Sequence, residues 1–150
     1  VSKVHEHGLI HRDIKPANIL VNEAGGQIRL TGFGMASRLL RERQVPEPPE
    51  VIAGTLAYMA PEQTGHMNRS VDSRSDLYAV GVTFYEMLTG SKPFDGETAM
   101  AVIVKHRQAP IPGLPMSLRE FQPLIQRMLA KEPAERFQTV EELLAWQPAA

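Results

Sequence analysis

The clearest periodicity in the chain predicts one long helix over residues 75–89. Apolar side chains recur there every three or four residues, which is the rhythm of a helical face. That face carries Leu77, Val80, Gly81, Phe84, Tyr85 and Leu88, and the opposite face carries Val82 and Met87. Ser73 and Asp76 have the spacing of a capping box, and Gly90 is a typical stop signal. Apolar residues on both faces predict a helix that is buried in the centre of the domain.

Shorter apolar segments near the N-terminus predict β-structure. Residues 19–21 and the alternating residues 27–31 flank a turn-forming cluster, which is typical of a hairpin with a longer loop. Leu9 and Ile10 predict a further, very short strand. Residues 37–54 contain three prolines and no regular period, so we expect an exposed loop there.

The second half of the chain predicts helices, with one segment left open. Residues 99–104 are rich in Val and Ile, so both a strand and a helix are compatible with them. Pro123 fits the first turn of a helix, and Thr139 with Glu142 forms a capping box for a final helix that extends to Trp146. Short β-structure followed by helices predicts an α+β fold.

Composition and charge limit the class of protein. The 150 residues are 43% hydrophobic and 22% charged, with a net charge of -1, as expected for one globular domain. The balance of charges argues against a nucleic-acid partner. No apolar run approaches the ~20 residues that span a bilayer and no secretory signal is visible, so we expect a cytoplasmic chain without membrane insertion. There are no cysteines, which excludes disulfides.

Chemistry is concentrated in residues 11–18, which read His-Arg-Asp-Ile-Lys-Pro-Ala-Asn. An Asp five residues before an Asn, on a loop between strands, is an arrangement used for phosphoryl transfer. Asp13 can accept the proton of a substrate hydroxyl, and Asn18 can bind Mg²⁺ through its side-chain oxygen. Lys15 can reach the transferred phosphate and offset its charge. The motif resembles the catalytic loop of the protein kinase family, and its Lys resembles the serine/threonine branch.

The resemblance continues nearly to the C-terminus. Residues 60–62 read Ala-Pro-Glu, like the end of a kinase activation segment, and residues 54–59 before them resemble the loop that presents the substrate. It implies that Thr55 hydrogen-bonds Asp13 and Lys15, and that the loop up to Tyr58 receives the substrate.

The same resemblance assigns structural roles to further residues. His11 and Phe33 are expected to pack beneath the cleft. Arg12 resembles the arginine that pairs with a phosphorylated residue of the activation segment in many kinases, and we expect it to be left to Glu47 or Glu50 here. Asp76 is expected to brace the backbone of the catalytic loop. Arg136 matches the arginine that pairs with the glutamate of Ala-Pro-Glu, so we expect a partly buried ion pair between Glu62 and Arg136.

One position departs from the family at the metal site. Residues 32–34 read Gly-Phe-Gly where the family has Asp-Phe-Gly. The missing Asp is the carboxylate that binds Mg²⁺ at the ATP phosphates, and Mg²⁺ favours anionic oxygen ligands. The family implies ATP and Mg²⁺ as cofactors, and we expect Gly32 to weaken both. His5, His7 and His11 lack the spacing of a zinc site, so we expect His5 and His7 on the surface.

The expected architecture is a kinase-like C-lobe, mainly helical, with a small β-hairpin at the cleft. It occupies residues 1–147 as a partial kinase domain, followed by the tail 148–150. Val1 and Val4 resemble the end of a helix that stops at Gly8, so the chain is expected to be a fragment that lacks the N-lobe and is inactive alone. Residues 63–75 resemble one bacterial subgroup, in which such a domain opens a large protein with ATPase and histidine kinase modules.

Three functions stay open at this point. The chain is part of a serine/threonine kinase that phosphorylates protein substrates in signal transduction, as the intact Asp13, Lys15 and Asn18 favour. Alternatively it is a pseudokinase that binds a regulatory partner domain, as Gly32 favours. The third alternative is an inactive truncated remnant.

Overall fold

The computed structural model describes residues 1–22, 27–31, 37–38, 56–64 and 72–148. The helices are α1 (Ser2–Glu6), α2 (Ser73–Thr89), α3 (Ala99–Gln108), α4 (Gln122–Met128) and α5 (Val140–Leu144). The strands are β1 (Leu9–Ile10), β2 (Ile19–Asn22), β3 (Gln27–Leu30) and β4 (Ser37–Arg38). Short 3₁₀ turns occur at Pro16–Asn18, Pro61–Thr64, Met116–Phe121 and Pro133–Glu135. The described ranges therefore combine helices with two small sheets.

Both sheets are two-stranded and antiparallel. β2 pairs with β3, with Ile19 opposite Leu30, which confirms the predicted hairpin. β1 pairs with β4, with Leu9 opposite Arg38. The loop prediction for residues 37–54 is therefore wrong at its first two residues, because a two-residue strand needs only a backbone partner and leaves no period in the sequence. Residues 39–54 lie outside the described residues.

The central helix is α2, and its N-cap is one residue earlier than the sequence suggested. The Asp72 side chain accepts a hydrogen bond from the Arg74 amide at 2.8 Å. The predicted capping box of Ser73 and Asp76 is wrong, because Ser73 is already helical and the Asp76 carboxylate is bound elsewhere. Gly90 ends the helix with a positive φ of 77°, as expected for a left-handed C-terminal glycine.

Two apolar clusters pack against α2 from different sides. One contains Tyr78, Val82 and Tyr85 together with residues of the 56–60 segment, Phe94 and α4, and the other contains Leu77 with residues of α4 and α5. The helix is therefore buried in the domain, as predicted. The prediction fails at the C-terminal end of α2, where Met87 is 73% exposed.

α2 and α4 pack closely against each other at Gly81. A Cβ atom placed on Gly81 would lie 2.7 Å from Cβ of Met128, which is closer than side-chain carbons normally approach. The absence of a side chain therefore allows the two helices to pack at this distance.

The segment that the sequence left open, residues 99–104, is helical in α3. Thr98 is its N-cap, with Oγ1 accepting from the Ala101 amide at 3.1 Å. Pro123 lies in the first turn of α4, and Thr139 caps α5 through the Glu142 amide at 3.1 Å, as predicted. α5 ends at Leu144, however, so Trp146 lies beyond the helix. Within the described ranges, no helix has the length and apolar character that crossing a bilayer requires.

Candidate active site

β1 leads directly into the loop that carries the candidate catalytic residues, and His11 anchors this loop. The His11 side chain is fully buried. Nε2 lies 2.7 Å from the carbonyl of Thr31, and Nδ1 accepts from the Asp13 amide at 3.1 Å. Because a carbonyl only accepts and an amide N–H only donates, the proton must be on Nε2. His11 therefore ties the loop to the end of β3, in agreement with the expected inward packing.

Asp76 of α2 holds the backbone of the same loop. One carboxylate oxygen accepts from the His11 amide and the other from the Arg12 amide, each at 2.8 Å. Asp76 is 1% exposed, so these bonds are shielded from water. The bracing contact that the resemblance implied is thus present in the structure.

His5 is a partner of this carboxylate that the sequence reasoning missed. Its Nε2 lies 2.8 Å from Oδ2 of Asp76, and its side chain is 15% exposed. The expectation of a surface histidine is therefore wrong for His5, because the end of α1 packs towards α2. The signal available in the sequence was its position on the helix that leads into the catalytic motif.

Asp13, Lys15 and Asn18 come together around one carboxylate. The Asn18 amide nitrogen donates to the Asp13 carbonyl at 2.7 Å and to Asp13 Oδ2 at 3.1 Å. Lys15 Nζ lies 3.5 Å from the other oxygen, Oδ1. That oxygen is buried and accepts no hydrogen bond within the described part of the chain. The arrangement leaves one carboxylate oxygen able to receive a hydroxyl proton, with a cation beside it.

Glu62 and Arg136 form the predicted ion pair. Arg136 Nη1 lies 2.7 Å from Oε2 of Glu62, and Nη2 lies 2.8 Å from Oε1. Both side chains are almost completely buried, whereas a partly buried pair was expected. Burial alone would raise the pKa of Glu62, but the hydrogen bonds and charge of Arg136, together with the Ser75 hydroxyl, hold that pKa below its usual range.

The loop expected to receive substrate is described from Leu56 onwards, and its residues up to Ala60 are mostly buried. The Tyr58 hydroxyl donates to Glu86, and burial together with that carboxylate raises the pKa of Tyr58. Immediately after the loop, the Gln63 side chain donates to the Arg12 carbonyl at 3.3 Å. Gln63 is a second residue that the sequence reasoning missed, and the motif spacing gave no signal for it.

The protein kinase domain family matches residues 1–147 of the chain. The chain belongs to the protein kinase family. The chain is similar to bacterial serine/threonine protein kinases. A probable serine/threonine-protein kinase of Corynebacterium efficiens is 37% identical over 149 residues, covering 94% of this chain and 22% of the relative. The serine/threonine-protein kinase PknB of Mycolicibacterium smegmatis is 37% identical over 145 residues, covering 94% and 23%. The chain thus spans about a fifth of the length of these relatives.

Protein kinases use ATP and Mg²⁺, and the described residues of this kinase chain fit the metal only in part. Asn18 directs its amide nitrogen to Asp13, so the side-chain oxygen of Asn18 is the atom that remains to bind a cation. Thr31 donates its hydroxyl to the Asn18 carbonyl at 3.2 Å and so ties β3 to the turn that carries Asn18. In the described ranges, no group of three or more His, Asp or Glu residues could hold a metal ion. One neutral amide oxygen does not fit a tightly held Mg²⁺.

Several predicted site residues cannot be placed. Thr55, Phe33 and the Gly32 position all lie outside the described residues. The roles expected for Thr55 at Asp13 and for Phe33 beneath the cleft therefore stay predictions. The same holds for the placement in the subgroup with ATPase and histidine kinase modules.

Proposed function

We propose that this chain is the C-lobe of a bacterial serine/threonine protein kinase domain. In this proposal the domain transfers the γ-phosphoryl group of ATP to a Ser or Thr hydroxyl of a protein in cytoplasmic signalling. The observation that carries the proposal is the Asp13 carboxylate. Asn18 binds one of its oxygens, and the other is buried beside Lys15 and accepts no hydrogen bond from the residues that the structure describes.

The geometry supports the following division of roles. The substrate hydroxyl donates to Oδ1 of Asp13, which orients the hydroxyl oxygen towards the phosphorus and accepts its proton as the new O–P bond forms. The bond from phosphorus to the bridging oxygen breaks, and ADP leaves. Lys15 lies beside Oδ1 and offsets the charge on the transferred group. Asp13 afterwards releases the proton to solvent.

In this proposal, Asp13 is kept in place by His11, Asp76 and Asn18. A general base must lie within hydrogen-bonding reach of the proton that it accepts, so its backbone has to be fixed. His11 and Asp76 hold the loop on both sides of Arg12, and Asn18 holds the Asp13 carbonyl and side chain. Glu62 and Arg136 stabilise the segment that follows the substrate loop.

A second candidate function is a pseudokinase that acts by binding a regulatory partner domain. Gly32 favours it, because glycine offers no side-chain ligand where the family has a carboxylate. A bound metal contributes several kcal/mol of charge stabilisation, and each ~1.4 kcal/mol is a factor of ten in rate. Loss of this ligand is therefore expected to lower phosphoryl transfer by orders of magnitude.

The variant Gly32→Asp distinguishes the two functions. In the protein kinase that carries this chain, we expect Gly32→Asp to increase both Mg²⁺-dependent ATP binding and phosphoryl transfer, the latter by about tenfold or more. ATP is titrated with and without Mg²⁺, followed by fluorescence, beside a protein kinase assay. Gly32→Asp combined with Asp13→Asn is the matched control, which should regain ATP binding without transfer. If Gly32→Asp changes neither quantity, the pseudokinase replaces the enzyme.

A further inference from the structure

The Gln63 side chain bridges two segments that are 51 residues apart in sequence. Its Nε2 donates to the Arg12 carbonyl at 3.3 Å, and its Oε1 accepts from the Ala60 amide at 3.1 Å. The carbonyl can only accept and the amide N–H can only donate, so the orientation of the Gln63 amide is determined. Gln63 thus connects the end of the substrate loop to the residue before Asp13.

The peptide unit between Arg12 and Asp13 is held at both of its polar ends. Gln63 binds the carbonyl oxygen, and His11 Nδ1 accepts from the Asp13 N–H at 3.1 Å. Arg12 itself has a φ of 71°, and it is the one non-glycine residue with positive φ among the residues described. A non-glycine residue in this left-handed region costs roughly 1–2 kcal/mol, so it persists only where its surroundings enforce it.

Asp76 and Gln63 constrain different parts of this strained residue. Asp76 accepts from the Arg12 amide and so fixes the peptide that precedes Arg12. Rotation about ψ of Arg12 turns the following peptide without moving that amide, and Gln63 binds the carbonyl that such a rotation would displace. The two side chains are therefore complementary rather than redundant.

We propose that Gln63 is a positioning residue for Asp13. It holds the Arg12–Asp13 peptide in its strained orientation, and it links that orientation to Ala60, so that the base is aligned only when the end of the substrate loop is in place. The effect of Gln63 on catalysis rests on the proposed function of Asp13. The coupling of the Arg12–Asp13 peptide to Ala60 through Gln63 does not rest on that function.

Two substitutions separate the two hydrogen bonds. Q63E keeps an acceptor for the Ala60 amide but has no donor for Arg12 while the new carboxyl is ionised. Q63M has a similar length and loses both bonds. In the ¹⁵N-labelled chain at pH 7, we expect the Asp13 amide to exchange about tenfold faster in both variants, equivalent to ~1.4 kcal/mol. The Ala60 amide should exchange faster in Q63M alone, and the Leu129 amide, bonded to Ile125 in α4, is the internal control for global unfolding.

The pH dependence of Q63E gives a readout that simple packing would not produce. When the introduced carboxyl is protonated, near the usual Glu pKa of ~4.3, it regains a donor for the Arg12 carbonyl. The Asp13 amide shift of Q63E should therefore return towards the wild-type value as the pH falls through that range. The wild type is measured at the same two pH values, so that changes unrelated to residue 63 are subtracted, and the comparison remains decisive if Q63M fails to fold.

The result that overturns the proposal is an Asp13 amide that is unchanged in Q63E at pH 7, or one that shows no pH-dependent return. A kinase assay of the Gly32→Asp protein with and without Q63E tests the catalytic part. There we expect kcat to fall about tenfold with little change in KM for ATP. If the Asp13 amide responds but no variant transfers phosphate, Gln63 still positions the loop and the proposed function fails instead.

Discussion

His106 shows how one buried side chain can fix three parts of the chain. It is fully buried on α3, with Nε2 2.7 Å from the Leu56 carbonyl and Nδ1 2.7 Å from the Tyr78 hydroxyl. Since the carbonyl can only accept, Nε2 carries the proton and the Tyr78 hydroxyl donates to Nδ1. Neutral His106 therefore joins α3 and α2 to the start of the substrate loop.

Stability should fall on acidification because of this residue. Burial and, to a smaller extent, the charge of Lys131 lower the pKa of His106 to about 4, from an unfolded value near 6.5. The unfolded chain therefore binds a proton at higher pH than the folded chain, and the contribution of His106 is complete above pH ~6.5 and lost as pH falls through ~4. Urea unfolding of wild type and His106→Gln at pH 7 and pH 4 should show their stability difference shrink by up to ~3 kcal/mol. A constant difference between the two proteins would contradict this assignment.

The sequence alone predicted the part of the candidate site whose residues lie together in one contiguous motif. His11, Asp13, Lys15 and Asn18 lie within eight residues, and the structure brings them together as the motif implies. His5 and Gln63 could not be found in this way. Their contacts depend on how α1 and the turn after Ala-Pro-Glu pack against the loop, which no local spacing encodes.

At the level of elements, the long helix and the hairpin could be predicted from the sequence, because the helix has a strong period and the hairpin has a clear turn signal. The structure of residues 99–104 could not be predicted, since a short apolar run has the same composition in a buried strand and in a helix. The structure has a helix there, with Thr98 as its N-cap and with Val102 and His106 buried on one face. β4 was missed because two residues are too few to show the alternation of a strand.

The contact between α2 and α4 depends on a missing side chain, and Gly81→Ala tests this. Its new methyl would meet Cβ of Met128, which cannot move without shifting α4. Overpacking costs ~1–3 kcal/mol, and the better helix propensity of Ala recovers only ~1 kcal/mol of it. We expect Gly81→Ala to lower the free energy of unfolding in urea.

Gly113→Ala is the matched control, because among the described residues, apart from its chain neighbours, no atom lies within 4 Å of the position of its Cβ. This variant should unfold within ~0.5 kcal/mol of wild type, as surface substitutions usually do. Equal stability of the two variants would mean that α4 adjusts freely and that the close approach is not a constraint.

At the scale of the whole molecule, Arg136 is the residue on which several segments converge. Each of its five N–H groups has an acceptor: two on Glu62 and one each on the carbonyls of Arg74, Ala130 and Lys131. A buried charge is tolerated only when it is paired and fully hydrogen-bonded, and Arg136 satisfies both conditions. It therefore connects the 3₁₀ turn Pro61–Thr64, α2 and the segment that follows α4.

Glu62→Ala should consequently be severely destabilising, by ~3–5 kcal/mol, because it leaves Arg136 buried and unpaired. Adding Arg136→Leu to Glu62→Ala should recover part of the loss, since the unpaired charge is removed. Urea unfolding of the two single variants and the double variant measures the coupling. If the double variant loses as much free energy of unfolding as the two single variants lose together, the two residues are not energetic partners.

The separation of Glu62 and Arg136 also has a consequence for how the chain is made. The ribosome adds Arg136 74 residues after Glu62, an interval of about 4 to 15 s at a synthesis rate of ~5–20 residues per second. During that interval the Glu62 carboxylate lacks the guanidinium that forms its buried ion pair in the folded chain, so we expect it to stay hydrated and the α2 face beside it to stay open. We therefore expect a nascent chain that stops before residue 136 to be degraded readily by proteases, and the protection of α2 to arise late in translation.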